Sequence, residues 1–123
     1  MAKILVIEDV PDSAELVRRV LTPIGYVIIH ASDAGTGLKM ALAEIPDLIL
    51  LDLGLPDYDG QTLAGFLRAE RVLDNTLIVA LTAWPEETAK QMVESYGCNG
   101  YISKPIVKVK EFVAQINSYL KVS

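Results

Sequence analysis

Short apolar runs alternate regularly with longer amphipathic segments along this chain, and few folds accommodate that order. Five runs are too short for helices and rich in β-branched residues, so they are predicted to be strands. They cover residues 4–7, 27–29, 48–51, 77–81 and 101–102. Three of them are continuously apolar, which is typical of strands covered on both faces and therefore of parallel sheets.

The segments between these runs have the apolar spacing of helices. Their apolar stripes fall within residues 16–24, 63–67, 89–96 and 109–120. Segment 33–44 is a weaker helix prediction, because Gly35 and Gly37 lower its propensity. Residues suited to the first turns, N-caps and C-terminal ends of helices occur at the expected places. They are Pro11 and Pro85 for first turns, Asp33 and Asp59 for N-caps, and Gly97 for a C-terminal end.

The resulting order is a strand followed by a helix, repeated five times. Right-handed crossovers between parallel strands then give an α/β fold, a doubly wound three-layer sandwich around a five-stranded parallel sheet. Ligands of such folds bind at the carboxyl ends of the strands. The residues at those ends are therefore the candidates for function.

Length and composition narrow the possible classes of protein. The chain has 123 residues and a net charge of −5, which suits one domain over residues 1–123 and disfavours nucleic-acid binding. Cys98 is the only cysteine, so no internal disulfide can form, as expected in a reducing cytoplasm. The sequence has no signal-peptide pattern and no apolar run of roughly 18 residues, the length that spans a bilayer.

Five polar side chains stand at the ends of the predicted strands. Glu8 and Asp9 follow the first strand, Asp52 the third, Thr82 ends the fourth, and Lys104 follows the fifth. In a parallel sheet all five meet at one edge. Three neighbouring carboxylates repel one another, and a hard divalent cation relieves that repulsion. Mg²⁺ is the expected ion, because it prefers oxygen ligands and often binds through carboxylates together with a phosphate.

The same residues suit phosphoryl transfer to a carboxylate. Asp52 is predicted to be the nucleophile that forms an acyl phosphate. The metal and the Lys104 ammonium would stabilise the charge on the phosphoryl oxygens. The Thr82 hydroxyl could donate a hydrogen bond to one of those oxygens.

This arrangement resembles the response-regulator receiver family over nearly the whole chain. The motifs that carry the resemblance are residues 4–9 (ILVIED), 46–53 (PDLILLDL), Pro56 with Asp59 and Gly60, 81–83 (LTA) and 101–105 (YISKP). Each motif alone is weak, whereas all of them in order at strand ends are specific. Residues 97–106 are most similar to stand-alone receivers of the DivK type.

The resemblance implies a flavodoxin-like CheY-type sandwich with strand order 2-1-3-4-5, and a phosphoacceptor switch rather than an enzyme. Asp52 would take its phosphoryl group from a histidine kinase or phosphotransfer protein. The backbone carbonyl of Gly54 would be a further metal contact, and Tyr101 the aromatic switch that follows Thr82. The Lys104–Pro105 bond is expected to be cis.

The resemblance also implies how the signal leaves the domain. A protein target would bind the face formed by the fourth helix, fifth strand and fifth helix, and phosphorylation could also drive homodimerisation through it. Trp84, two residues after Thr82, would shield the acyl phosphate from water and prolong its lifetime to minutes or more. The alternatives to these functional roles are that Trp84 simply covers the start of the next helix and that Tyr101 simply faces outward from its strand.

Other functions fit the residues less well. Haloacid-dehalogenase-like phosphohydrolases also use a strand-end Asp and Mg²⁺, but they need a second Asp where this chain has Gly54. Nucleotide- or flavin-binding folds need a glycine-rich loop after the first strand, where this chain has Glu8 and Asp9. A receiver excised from a hybrid kinase or a larger regulator is a further alternative, and a stand-alone regulator is the simpler expectation.

Overall fold

The computed structural model describes residues 2–55, 57 and 59–120. Strands and helices alternate along the chain as predicted, and two short 3-10 turns, Thr22–Ile24 and Arg71–Leu73, were not foreseen. The elements are β1 (Lys3–Ile7), α1 (Pro11–Leu21), β2 (Val27–Ala31), α2 (Ala34–Glu44), β3 (Leu48–Asp52), α3 (Gly60–Ala69), β4 (Leu77–Thr82), α4 (Glu86–Tyr96), β5 (Gly100–Ser103) and α5 (Val109–Leu120).

The five strands form one parallel sheet in the order β2-β1-β3-β4-β5, which confirms the predicted fold class. Strand β1 lies inside the sheet, where Ile4 pairs with Ile28 on one side and Leu48 on the other. Asp52 is level with Leu81 of β4. The chain order reverses between β1 and β3, so the carboxyl ends of these two strands border the crevice where doubly wound folds bind ligands.

Two apolar clusters cover the two faces of the sheet. Leu5, Ile7, Ile49 and Leu51 point to the cluster that includes residues of α2, α3 and α4. Ile4, Val6, Leu48 and Leu50 point to the cluster that includes residues of α1 and α5. Both faces of β1 and β3 are therefore buried, which explains why their sequences are continuously apolar.

Most of the helix ends agree with the sequence. Asp33 caps α2 by accepting a hydrogen bond from the Thr36 N–H at 2.7 Å, and Gly97 ends α4 with a left-handed φ of 77°. The prediction for Pro85 was off by one position, because Pro85 is the residue before the first helical residue of α4. Asp59 occupies the N-cap position of α3, although its side chain makes no capping hydrogen bond to the described residues.

Arg68 on α3 ties several segments together at the edge of the sheet opposite the strands' carboxyl ends. Its guanidinium donates to the carbonyl of Gly97 at 2.8 Å, of Leu73 at 3.0 Å and of Thr76 at 2.7 Å, and to Asn99 Oδ1 at 2.8 Å. The C-terminal end of α4 is thereby fastened to α3 and to the start of β4. Among the described residues, no helix has the length and apolar character needed to cross a membrane.

Candidate functional site

The carboxyl edge of the sheet brings together the side chains that the sequence singled out. Glu8, Asp9 and Asp52 each place a carboxylate oxygen within 4.8 Å of the other two. Glu8 and Asp52 are buried, and Asp9 is half-buried beside them. The three carboxylates reach this edge because β1 and β3 are adjacent and parallel, so both strands end at the same level.

Lys104 extends from the end of β5 into the same cluster. Its Nζ lies 3.1 and 3.3 Å from the two carboxylate oxygens of Glu8 and 3.6 Å from Asp52 Oδ1. The sequence predicted that Lys104 would face Asp52, but not that it would pair most closely with Glu8. The peptide bond between Lys104 and Pro105 is cis, as the resemblance implied.

Glu8 is the least solvated of the acidic residues, with none of its surface exposed. Burial raises the pKa of the Glu8 carboxyl above its usual range, and the negative charge of Asp52 adds to this, whereas the hydrogen bond from Lys104 opposes it. The ionised form of Glu8 is therefore destabilised by its surroundings, and an additional positive charge in the cluster would stabilise it.

The donor atoms of this cluster suit a hard divalent cation. They are carboxylate oxygens, from the buried residues Glu8 and Asp52 and from the half-buried residue Asp9. Mg²⁺ typically binds through one or two carboxylates and retains waters, so a site that is partly open to solvent fits it.

Backbone N–H groups orient the side chains around Asp52. The Gly54 N–H donates to Asp52 Oδ1 at 3.1 Å, and the Trp84 N–H donates to Thr82 Oγ1 at 2.9 Å. Because Thr82 Oγ1 accepts this hydrogen bond, its own hydrogen remains to be donated. The Trp84 side chain is 36% exposed at the start of α4.

Tyr101 lies in β5 and is half-buried, with its ring packed against the cluster of α2, α3 and α4. His30 is exposed at the end of β2, and its Nε2 lies 2.7 Å from the carbonyl oxygen of Glu8. Cys98 is partly buried, and burial raises the pKa of its thiol to about 11, as expected for a packing residue.

One contact near the site was missed by the sequence reasoning. Asp57 lies in the connection between β3 and α3, and its carboxylate accepts hydrogen bonds from the backbone N–H groups of Ala34 and Gly35 at the start of α2. The partners are 23 and 22 residues apart in the chain, so no periodicity or short motif indicates the contact. Pro56 of the family motif lies outside the described residues.

Comparisons with known proteins agree with this geometry. The profile of the response regulator receiver domain matches residues 4–117. The polar-differentiation response regulator DivK of Brucella ovis is 32% identical over 117 residues, which cover 95% of this chain and 94% of that protein. DivK of Brucella anthropi is similar to the same extent.

Solved structures of the same kind superpose closely. A receiver domain of a sensor histidine kinase from Pseudomonas aeruginosa, with a magnesium ion coordinated in its active site cleft, is 27% identical with a TM-score of 0.87 over 98% of each chain. A two-component response regulator from Clostridium difficile is 25% identical with a TM-score of 0.89, over 98% of this chain and 97% of that one. The chain therefore belongs to the response regulator receiver domain family and is a receiver of two-component signal transduction.

Proposed function

We propose that Asp52 is the residue of this receiver that accepts a phosphoryl group from a histidine kinase or a phosphotransfer protein. The observation that supports it is the convergence of Glu8, Asp9 and Asp52 with Lys104 at the carboxyl edge of the sheet. Asp52 Oδ1 accepts a hydrogen bond from the Gly54 N–H, so this oxygen has a fixed direction.

Glu8, Asp9, Asp52 and the carbonyl of Gly54 would hold Mg²⁺. When bound, Mg²⁺ supplies positive charge that offsets the negative charge on the phosphoryl oxygens. A carboxylate oxygen of Asp52 attacks phosphorus, the P–N bond of the phosphohistidine breaks, and its electron pair leaves with the imidazole. The product is an acyl phosphate on Asp52.

Two further side chains act on the phosphoryl group. The Lys104 ammonium, 3.6 Å from Asp52 Oδ1, is close enough to move from Glu8 to a phosphoryl oxygen. The Thr82 hydroxyl donates to another phosphoryl oxygen. Because the Trp84 N–H is hydrogen-bonded to Thr82, a movement of Thr82 is passed to the start of α4.

The signal then leaves by protein contact. Tyr101 turns inward when Thr82 moves, and a protein target, or a second copy of this chain, binds the surface of α4, β5 and α5. We place this function in the cytoplasm, in one receiver domain over residues 1–123. The chain acts as a phosphoacceptor switch that assists its own phosphorylation and dephosphorylation.

The test is incubation with acetyl phosphate, with and without Mg²⁺, followed by intact-protein mass spectrometry. One added phosphoryl group is expected, only with Mg²⁺, and none in Asp52→Asn. Asp59→Asn, which removes a carboxylate from the same loop, is the matched control and should be phosphorylated like the parent. Phosphorylation of Asp52→Asn, or no adduct in the parent under any condition, would contradict the proposal.

A further inference from the structure

Asp57 connects the loop that follows Asp52 to a different helix. It lies five residues after Asp52, in the connection between β3 and α3. Its two carboxylate oxygens accept hydrogen bonds from α2, Oδ1 from the Ala34 N–H at 2.8 Å and Oδ2 from the Gly35 N–H at 3.0 Å. Charged acceptors make such bonds stronger than neutral ones, and a helix N-terminus favours negative charge.

The start of α2 depends on this contact for its backbone hydrogen bonds. The Thr36 N–H is satisfied by Asp33 at 2.7 Å, and the Gly37 N–H makes the first intrahelical bond, to the carbonyl of Asp33 at 2.9 Å. The two preceding N–H groups, those of Ala34 and Gly35, donate hydrogen bonds to the Asp57 carboxylate. The cap of α2 is therefore completed by a residue from another connection, in a helix that two glycines weaken.

The same connection is also fixed at both of its ends. The Gly60 N–H donates to the carbonyl of Leu53 at 3.2 Å, and a Cβ at Gly60 would lie only 2.5 Å from Leu53 Cα. At the other end, the Gly54 N–H donates to Asp52 Oδ1. Between these ends, Asp57 is hydrogen-bonded to the first turn of α2.

We propose that Asp57 is a positioning residue for the metal site, which keeps Gly54 beside Asp52 by fastening the connection to α2. This inference rests on the proposed function, because it concerns the Mg²⁺ site assigned there. Its consequence is that Mg²⁺ binding and the order of the first turn of α2 are coupled. Such coupling is reciprocal, so ordering either one favours the other.

The first experiment compares Mg²⁺ affinities by isothermal titration calorimetry at constant ionic strength, under conditions where every variant is folded. Asp57→Ala should weaken Mg²⁺ binding by roughly tenfold, a size typical of coupling between two linked sites. Asp57→Asn should also weaken it, because the amide retains one acceptor oxygen but turns a donor toward the second N–H. The parent affinity in all variants would overturn the inference.

Two control variants separate positioning from other effects. Asp59→Ala removes the same charge from the same connection, and Asp33→Ala removes the other side-chain cap of α2. Both should bind Mg²⁺ within about twofold of the parent, because neither removes the contact between Asp57 and α2 through which we propose the coupling. If Asp59→Ala weakens Mg²⁺ binding as much as Asp57→Ala does, the loss of affinity comes from the removed charge alone. If Asp33→Ala weakens it as much, the loss comes from the lower stability of α2. Either result would overturn the inference.

Amide hydrogen exchange of Ala34 and Gly35, read by NMR, gives an independent measurement. In the parent, Mg²⁺ should slow exchange at these two amides, and in Asp57→Ala it should have no effect on them. An absence of any Mg²⁺ effect in the parent, although calorimetry shows binding, would overturn the inference and leave the proposed function intact. A parent that binds no Mg²⁺ would overturn both.

Discussion

Glu8 is buried at the carboxyl end of β1, where the positive charge of Lys104 attracts its carboxylate and the negative charge of Asp52 repels it. Because burial raises the pKa of Glu8 in the folded protein, the folded state retains this proton at pH values where the unfolded chain has lost it. Without metal, the contribution of Glu8 to stability is therefore lost as the pH rises from the unfolded pKa, near 4.5, through the raised folded pKa.

Glu8→Gln should accordingly be more stable than the parent at pH 7 in the presence of EDTA. The advantage should shrink as the pH falls toward 4.5, because Glu8 of the parent then becomes protonated and resembles Gln. Urea unfolding at a series of pH values measures this difference. Glu15→Gln, on the exposed face of α1, is the control that should show no such gain at pH 7. A Glu8→Gln variant that is less stable than the parent at pH 7 would contradict the prediction.

Trp84 should prolong the life of the acyl phosphate. Its backbone N–H is hydrogen-bonded to Thr82 Oγ1, and the residue lies two positions before α4, so we expect its ring to reduce the access of water to a phosphoryl group on Asp52. Trp84→Ala should lose its phosphoryl group several-fold faster than the parent, and Trp84→Phe should be intermediate. Intact-protein mass spectrometry at intervals after removal of acetyl phosphate gives the rates at which the phosphoryl group is lost. Equal rates for Trp84→Ala and the parent would show that the ring does not shield the site.

At the scale of elements, the start of α3 packs closely against the end of β3. A Cβ at Gly60 would approach Leu53 Cα to 2.5 Å and the carbonyl oxygen of Asp52 to 2.9 Å. Both atoms belong to the backbone, so neither can rotate away. Gly60→Ala should therefore destabilise the fold by about 1–3 kcal/mol, as overpacking does.

Gly65→Ala provides the matched control in the same helix. No described heavy atom lies within 4 Å of a Cβ at Gly65, and the residue is inside α3. This substitution should stabilise the protein by roughly 0.5–1 kcal/mol, because Ala favours a helix more than Gly does. Urea denaturation of the two variants gives both values. A Gly60→Ala variant as stable as Gly65→Ala would show that the junction can relax.

The elements and the site edge were predictable because they follow from local pattern. Apolar runs gave the strands, and the rule that parallel strands end together placed Glu8, Asp52 and Lys104 at one edge. The contacts of Asp57 with α2 and of Arg68 with four carbonyl-type oxygens were not predictable in this way. Asp57 lies 22 and 23 residues from its partners in α2, and Arg68 lies 29 and 31 residues from Gly97 and Asn99. The geometry of these contacts depends on how the finished elements pack.

For the whole molecule, binding of Mg²⁺ to the folded state should increase the free energy of unfolding. Above the dissociation constant, each tenfold increase in Mg²⁺ should add about 1.4 kcal/mol to the free energy of unfolding. Thermal or urea unfolding at constant ionic strength measures it. Asp9→Asn should lose most of this dependence, whereas Asp47→Asn, at the opposite edge of the sheet, should retain it. An unchanged stability of the parent at millimolar Mg²⁺ would argue against a metal site at this edge.

Helix α4 is held differently at its two ends. Arg68 fastens the C-terminal end at Gly97, whereas the N-terminal end follows Trp84 and Pro85 with no side-chain cap from the described residues. A tilt of α4 about its C-terminal end at Gly97 would therefore move its N-terminal end most. Its 11 residues make it about 16 Å long, so a tilt of about 5° displaces the end near Thr82 by roughly 1.4 Å. A displacement no longer than a covalent bond at the N-terminal end of α4 would thus correspond to a tilt of the whole helix, and with it of its exposed face.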